Sequence, residues 1–161
     1  GVNYALAFGK LRYKAAVIAD AMEAGYWQFL ATQSSGPGKG FQDWMRRLNG
    51  GAPGDPPGKW IDQTPQFHAN NYTAPVLELR FGELIIGWES YAALRAAGKP
   101  TELVWLPNAE HNPVLPAERA VSQGMAYDWV RFWLQGYEDP DSEKRDQYAR
   151  GWKMKDGRSG L

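Results

Sequence analysis

The chain contains no cysteine among its 161 residues. Disulfides, a thiol nucleophile and thiolate metal sites are thereby excluded. Histidine is almost as scarce: His68 and His111 are the only two. That is too few for a site built from several imidazole ligands, and no metal or other cofactor is expected. Neither sign of charge is in excess, with 18 basic and 18 acidic residues. A nucleic-acid partner is not expected, because phosphate neutralisation draws on a basic surplus. No apolar run approaches the roughly 18 residues of a membrane span, so no membrane partner is expected either. No signal-peptide pattern opens the sequence. A cytoplasmic location is a separate expectation.

What is present suits a packed domain or one part of a larger one. Hydrophobic residues make up 43% and aromatics 14%, too much apolar matter for a disordered chain. The first residue is not Met, and Gly-Val-Asn-Tyr-Ala-Leu-Ala-Phe already has the character of a packed helix. We therefore expect a cleaved or partial chain.

Hydrophobic periodicity divides the chain into alternating elements. Residues 13–19, Tyr-Lys-Ala-Ala-Val-Ile-Ala, form a nearly continuous apolar run closed by Asp20, as expected of a strand buried on both faces. Between 22 and 72 the pattern loosens into helical pieces at 25–30 and 41–48, separated by Gly/Pro-rich loops. Their aromatic spacing requires a core to lie on, so this stretch is a helical excursion at the edge of a domain. Residues 75–81 alternate as a strand, with Leu77, Leu79 and Phe81 on one face and Val76, Glu78 and Arg80 on the other. A helix is expected over 89–97 with Gly98 as its C-cap, a strand over 101–106, and a long helix over 116–135. Val121, Met125, Trp129, Phe132 and Trp133 would form the buried stripe of that last helix. Strands alternating with helices imply an α/β fold with a parallel sheet. Residues 1–138 are expected to make up this α/β portion, and 139–161 a charge-rich tail, extended or frayed.

In open α/β sheets ligands gather beyond the carboxyl ends of the strands. One such end leads into Gly82-Glu83, another into Pro-Asn-Ala-Glu-His111. The two strands are joined by one helix and should be neighbours. A carboxylate and an imidazole meeting on that rim can activate a hydroxyl nucleophile: the carboxylate holds the tautomer and stabilises imidazolium, and the imidazole accepts the proton.

The stretch Thr73-Ala-Pro-Val-Leu-Glu-Leu-Arg-Phe-Gly-Glu83 is followed by Tyr91-Ala-Ala-Leu-Arg-Ala-Ala-Gly-Lys-Pro-Thr-Glu-Leu-Val-Trp-Leu-Pro-Asn-Ala-Glu-His111. Together they resemble the closing part of a prolyl-oligopeptidase-like serine peptidase. The resemblance implies the C-terminal portion of an α/β-hydrolase fold. It makes Gly1 the last glycine of a Gly-x-Ser-x-Gly elbow, with the nucleophilic serine just upstream. The family's usual Asp beyond the strand glycine is missing, because Leu84, Ile85 and Ile86 occupy that region. This variant resembles the lasso peptide isopeptidases of the same family, which use Glu as the acid. The resemblance thus implies Glu83 as acid and His111 as base; of the eight tryptophans, mostly core, Trp88 in the loop after the acid is the one expected to face substrate. The resemblance further implies cleavage of an amide bond through an acyl-enzyme, a threaded lasso peptide as substrate, and an upstream β-propeller in the same protein.

Blander readings stand beside these. A lone loop histidine is commonly structural, and Glu89 and Glu110 rival Glu83 as the acid. Glu89 also suits a helix N-terminus, His68 has no evident partner and is read as structural, and Arg46-Arg47 suits a solvated face. Ser34, Ser35, Ser90, Ser122, Ser142 and Ser159 all lack an elbow setting, so the chain by itself completes no triad. The alternative function is a non-catalytic α/β-hydrolase-like binding module. A sheet short of its upstream strands is also not expected to fold alone.

Overall fold

In a computed structural model the protein is described over residues 1–21, 25–35, 39–52, 58–82 and 87–157. Three strands, β1 (Ala16–Ala19), β2 (Val76–Phe81) and β3 (Thr101–Leu106), form a parallel sheet in the order β1-β2-β3. β2 is paired on both sides, with Val76 opposite both Ala16 and Thr101, and every one of its residues is buried. A parallel sheet needs both faces covered, and two separate cores meet that need. Ile18 and Val76 pack with Leu6 and Ala7 of helix α1 (Val2–Phe8) and Leu94 of helix α5 (Trp88–Ala96). On the opposite face Leu77, Leu79 and Phe81 pack with Trp129 of α6 (Pro116–Gln135) and Met154 of α7 (Arg145–Lys155). The alternation read in 75–81 is therefore correct as a division of faces, and both faces are interior.

The excursion between β1 and β2 contains α2 (Tyr26–Ser35), α3 (Lys39–Asn49) and α4 (Gly58–Gln63), then a 3-10 stretch over Pro65–Asn71. It has a core of its own in Phe29, Met45 and Trp60. Trp60 donates its indole N–H to Gly51 O at 2.9 Å, so the one polar atom of a fully buried side chain is satisfied.

Three expectations are corrected. β1 begins at Ala16 rather than at residue 13. Ala16 N–H bonds Pro75 O at 2.9 Å, and proline has no N–H to extend the ladder further. Val121 is 44% exposed; of the expected stripe of α6, Trp129 and Phe132 are buried and Met125 and Trp133 pack against the same core, joined by buried Ser122 and Asp128. Within the segment expected to be an extended tail, Arg145–Lys155 forms helix α7, with Tyr148, Gly151 and Met154 buried. Its docking is electrostatic as well as apolar. Buried Asp128 of α6 pairs with Lys144 at 2.8 Å, and Lys144 also reaches Asp139 at 2.9 Å. Those two carboxylates hold the Lys144 ammonium well above the usual lysine range. Gly151 lies so close to Phe132 that an added Cβ would stand 2.6 Å from the ring.

Candidate active site

The carboxyl ends of all three strands open on one rim, and side chains from β1 and β3 meet across the end of β2. Asp20, the residue after β1, accepts a hydrogen bond on Oδ2 from His111 Nδ1 at 2.6 Å. The imidazole comes from the loop after β3. Its Nε2 has no hydrogen-bond partner among the described residues, and the side chain is 70% exposed against 24% for Asp20. Tautomers are set by such contacts: a carboxylate on Nδ1 places the ring proton there and leaves Nε2 as the acceptor.

Local structure explains why the two residues can meet. Asp20 has φ of 44°, the only positive φ at a described non-glycine residue, and Asp is among the few side chains that tolerate this region. Its N–H remains in the ladder, bonded to Leu79 O at 2.8 Å, and a long 3.5 Å contact joins Phe81 N–H to Oδ1. Between the partners, Gly82 also adopts a positive φ, 66°. It is tied to the histidine loop by its N–H to Leu106 O at 3.0 Å and by Trp105 Nε1–H to its own carbonyl at 2.8 Å. An added Cβ at Gly82 would lie 3.4 Å from Ala109 O, so the end of β2 abuts the chain two residues before His111.

Beneath the rim lies a buried ionic cluster. Glu78 and Arg80, both interior on β2, are paired, and Ser90 of α5 donates its hydroxyl to Glu78. Arg80 Nε–H reaches Glu78 at 3.1 Å and Nη1–H donates to Ala21 O at 3.0 Å, fixing the turn that carries Asp20. Burial pushes the Glu78 carboxyl up, while Arg80 and the Ser90 hydroxyl oppose that shift. Gly87 is required here, because a Cβ would sit 2.3 Å from Arg80 Nε.

The residues singled out from sequence divide as follows. His111 stands on the rim with a carboxylate partner. Glu83 lies outside the described residues, with Leu84, Ile85 and Ile86. Trp88 is the first residue of α5 rather than part of a loop, half exposed and edge-on to Tyr91 at 5.5 Å. Glu89 does meet a helix N-terminus, but that of α2: its carboxylate accepts from Trp27 N–H at 3.0 Å and Gln28 N–H at 3.4 Å. Burial pushes its carboxyl up, against those backbone bonds. Glu110 is exposed. His68 is structural, with Nε2 at 3.0 Å from the carbonyls of Ile61 and Asp62 and its ring edge-on to Phe8. Arg46 pairs with Asp43 at 3.2 Å and lies over the Phe29 ring. The sequence reading missed Asp20, which it took as a strand terminator. The available signal was a carboxylate at the carboxyl end of a buried parallel strand. Among the described residues no group of three His, Asp or Glu could hold a metal ion, and no helix is long and apolar enough to cross a membrane.

A parallel sheet with helices on both faces and an imidazole after its last strand can be compared with known proteins. An isopeptidase, AtxE2, solved as an alanine-for-serine variant with Astexin3-dC4 bound, superimposes on 97% of this chain with a TM-score of 0.76 and 27% identity. The fold is part of an α/β-hydrolase. Acylaminoacyl peptidase of Pyrococcus horikoshii shares the α/β-hydrolase fold over 88% of the chain, with a TM-score of 0.59 and 21% identity. In sequence the chain is 34% identical over 95 residues to the lasso peptide isopeptidase AtxE2 of Asticcacaulis excentricus. No protein-family model matches. The chain spans 14% of the length of that curated relative in the sequence match, and 24% of the solved chain in the structural one. The resemblance to the lasso peptide isopeptidase thus extends through both sequence and fold, and that to the acylaminoacyl peptidase through the fold. Within an α/β-hydrolase sheet, β1 is an edge strand of this chain. Beside it runs an apolar groove of about 280 Å³, lined by Val2, Leu6, Tyr13, Ala15 and Val17.

Proposed function

We propose that this chain is the base-supplying portion of a serine hydrolase that cleaves an amide bond, with His111 as the general base. The observation carrying the reading is the His111 imidazole at the end of the last parallel strand, with a carboxylate on Nδ1 and Nε2 left for a nucleophile. The nucleophile is a serine just upstream of Gly1, because Gly1 immediately precedes α1 as the last glycine of an elbow precedes its helix. In a crossover the helix runs antiparallel to the strand it feeds, so the start of α1 belongs on the same rim as the strand ends. An alanine in place of a serine in the Astexin3-bound relative fits a serine nucleophile.

The acid carried over by resemblance is Glu83, which follows Gly82 in the sequence. In the reaction Nε2 accepts the serine proton as the hydroxyl oxygen attacks the carbonyl. The imidazolium then returns the proton to the leaving amine, and water hydrolyses the acyl-enzyme by the same relay. Similarity to the lasso peptide isopeptidase supports a threaded peptide as substrate and its macrolactam isopeptide bond as the bond cleaved. Trp88, half exposed at the start of α5, is the aromatic surface offered to it. The upstream part of the same protein, with the β-propeller the resemblance implies, would cover the apolar groove beside β1. A cytoplasmic location is part of the same reading. The test is incubation of the complete protein with a lasso peptide. A linear product one water heavier supports the reading; a threaded peptide left intact under conditions where a fluorophosphonate labels the enzyme removes the isopeptidase assignment.

A further inference from the structure

We propose that Asp20 is a positioning residue of this site: it holds Nδ1 of His111 and so leaves Nε2 free to take the nucleophile's proton. The inference rests on the hydrolase reading above. Asp20 and His111 leave β1 and β3, which flank β2, so their 2.6 Å contact spans the end of the middle strand. Nothing local requires such a contact, since the two residues are 91 positions apart. The turn that makes it is held from three directions: the Asp20 N–H is bonded to Leu79 O, its Oδ1 lies at the edge of reach of Phe81 N–H, and the following carbonyl, Ala21 O, accepts from buried Arg80. A left-handed conformation at a residue other than glycine persists where the surroundings over-determine it, and such sites cluster at functional positions. Gly82, with φ of 66°, ends β2 against the histidine loop, its N–H bonded to Leu106 O at 3.0 Å. The imidazole is therefore held by a carboxylate from the end of β1, and Asp20 fixes its orientation.

Asp20→Asn is the informative substitution, because Asn accepts positive φ as readily as Asp and the turn should persist. In the complete protein it should slow labelling by a fluorophosphonate by on the order of a hundredfold or more, following triads whose carboxylate is made an amide. The hydrogen-bonded Nδ1–H proton resonance of His111, far downfield of the amides, should disappear as well. Asp20→Glu should recover part of both signals. Labelling slowed with the downfield resonance intact would reduce Asp20 to a structural role and overturn the proposal. So would Asp20→Asn at the wild-type rate while Glu83→Gln loses rate and resonance together, an outcome in which the hydrolase reading survives. Unchanged labelling of His111→Ala would overturn both.

Discussion

Replacing Arg80 by Met tests how the rim is supported. Arg80 is 2% exposed and its partner Glu78 fully buried, so removal of the guanidinium leaves a carboxylate in the interior with the Ser90 hydroxyl as its remaining donor in the cluster. Breaking a buried pair in this way costs about 3–5 kcal/mol, far more than removing an exposed one. Removing both charges together, as in Glu78→Leu with Arg80→Met, should cost much less, because no buried charge is stranded. The assay is native-state hydrogen exchange of the β2 amides in the complete protein, which reads local opening even in a multidomain chain. Arg80→Met should lower the opening free energy of residues 77–81 by roughly that 3–5 kcal/mol. Its deficit should narrow as pH falls, because burial already pushes the Glu78 carboxyl up and Arg80 opposes that shift. A loss below about 1 kcal/mol, the range of an exposed pair, would refute the argument. So would a double variant as unstable as Arg80→Met.

Glu89→Gln tests the junction between α5 and α2. Burial raises the Glu89 carboxyl above its ordinary value near 4.5, so the folded state binds the proton more tightly than the unfolded one. Stability then falls as pH rises from that value through the raised one, and Glu89→Gln should remove that part of the slope in thermal melts; an identical slope would contradict it. Gly151→Ala places a methyl 2.6 Å from the Phe132 ring. It should cost about 1–3 kcal/mol, seen as faster proteolysis and exchange across α7, whereas unchanged protection would mean that the helix yields without cost.

Much of the fold was legible in the sequence because its signals are local. β3 and α6 have the bounds that periodicity, Pro107, Pro116 and Gly136 indicate, and the parallel sheet follows from their alternation. α7 was not legible, since its residues are charge-rich and poor in aliphatics. It is held by Lys144 between Asp128 and Asp139 and by the close approach of Gly151 to Phe132, contacts that no pattern within the helix encodes. The site divides in the same way. The placement of His111 on the rim was legible from its position after a strand, a feature of chain order. The contact of Asp20 with it was not legible, because it depends on a backbone angle and on a partner 91 residues away. The partner of Glu89 was equally remote: its carboxylate serves α2, 61 and 62 residues upstream, rather than its own helix.

In the proposed reaction His111 activates the elbow serine that lies just upstream of Gly1. The most direct measurement is fluorophosphonate labelling of the complete protein and of its His111→Ala variant, with the modified residue located by peptide mass spectrometry. The wild type should carry a single label on that upstream serine, and His111→Ala should be labelled on the order of a thousandfold or more slower, with the fold retained by circular dichroism. A label elsewhere, or equal labelling of the two proteins, would contradict that reaction.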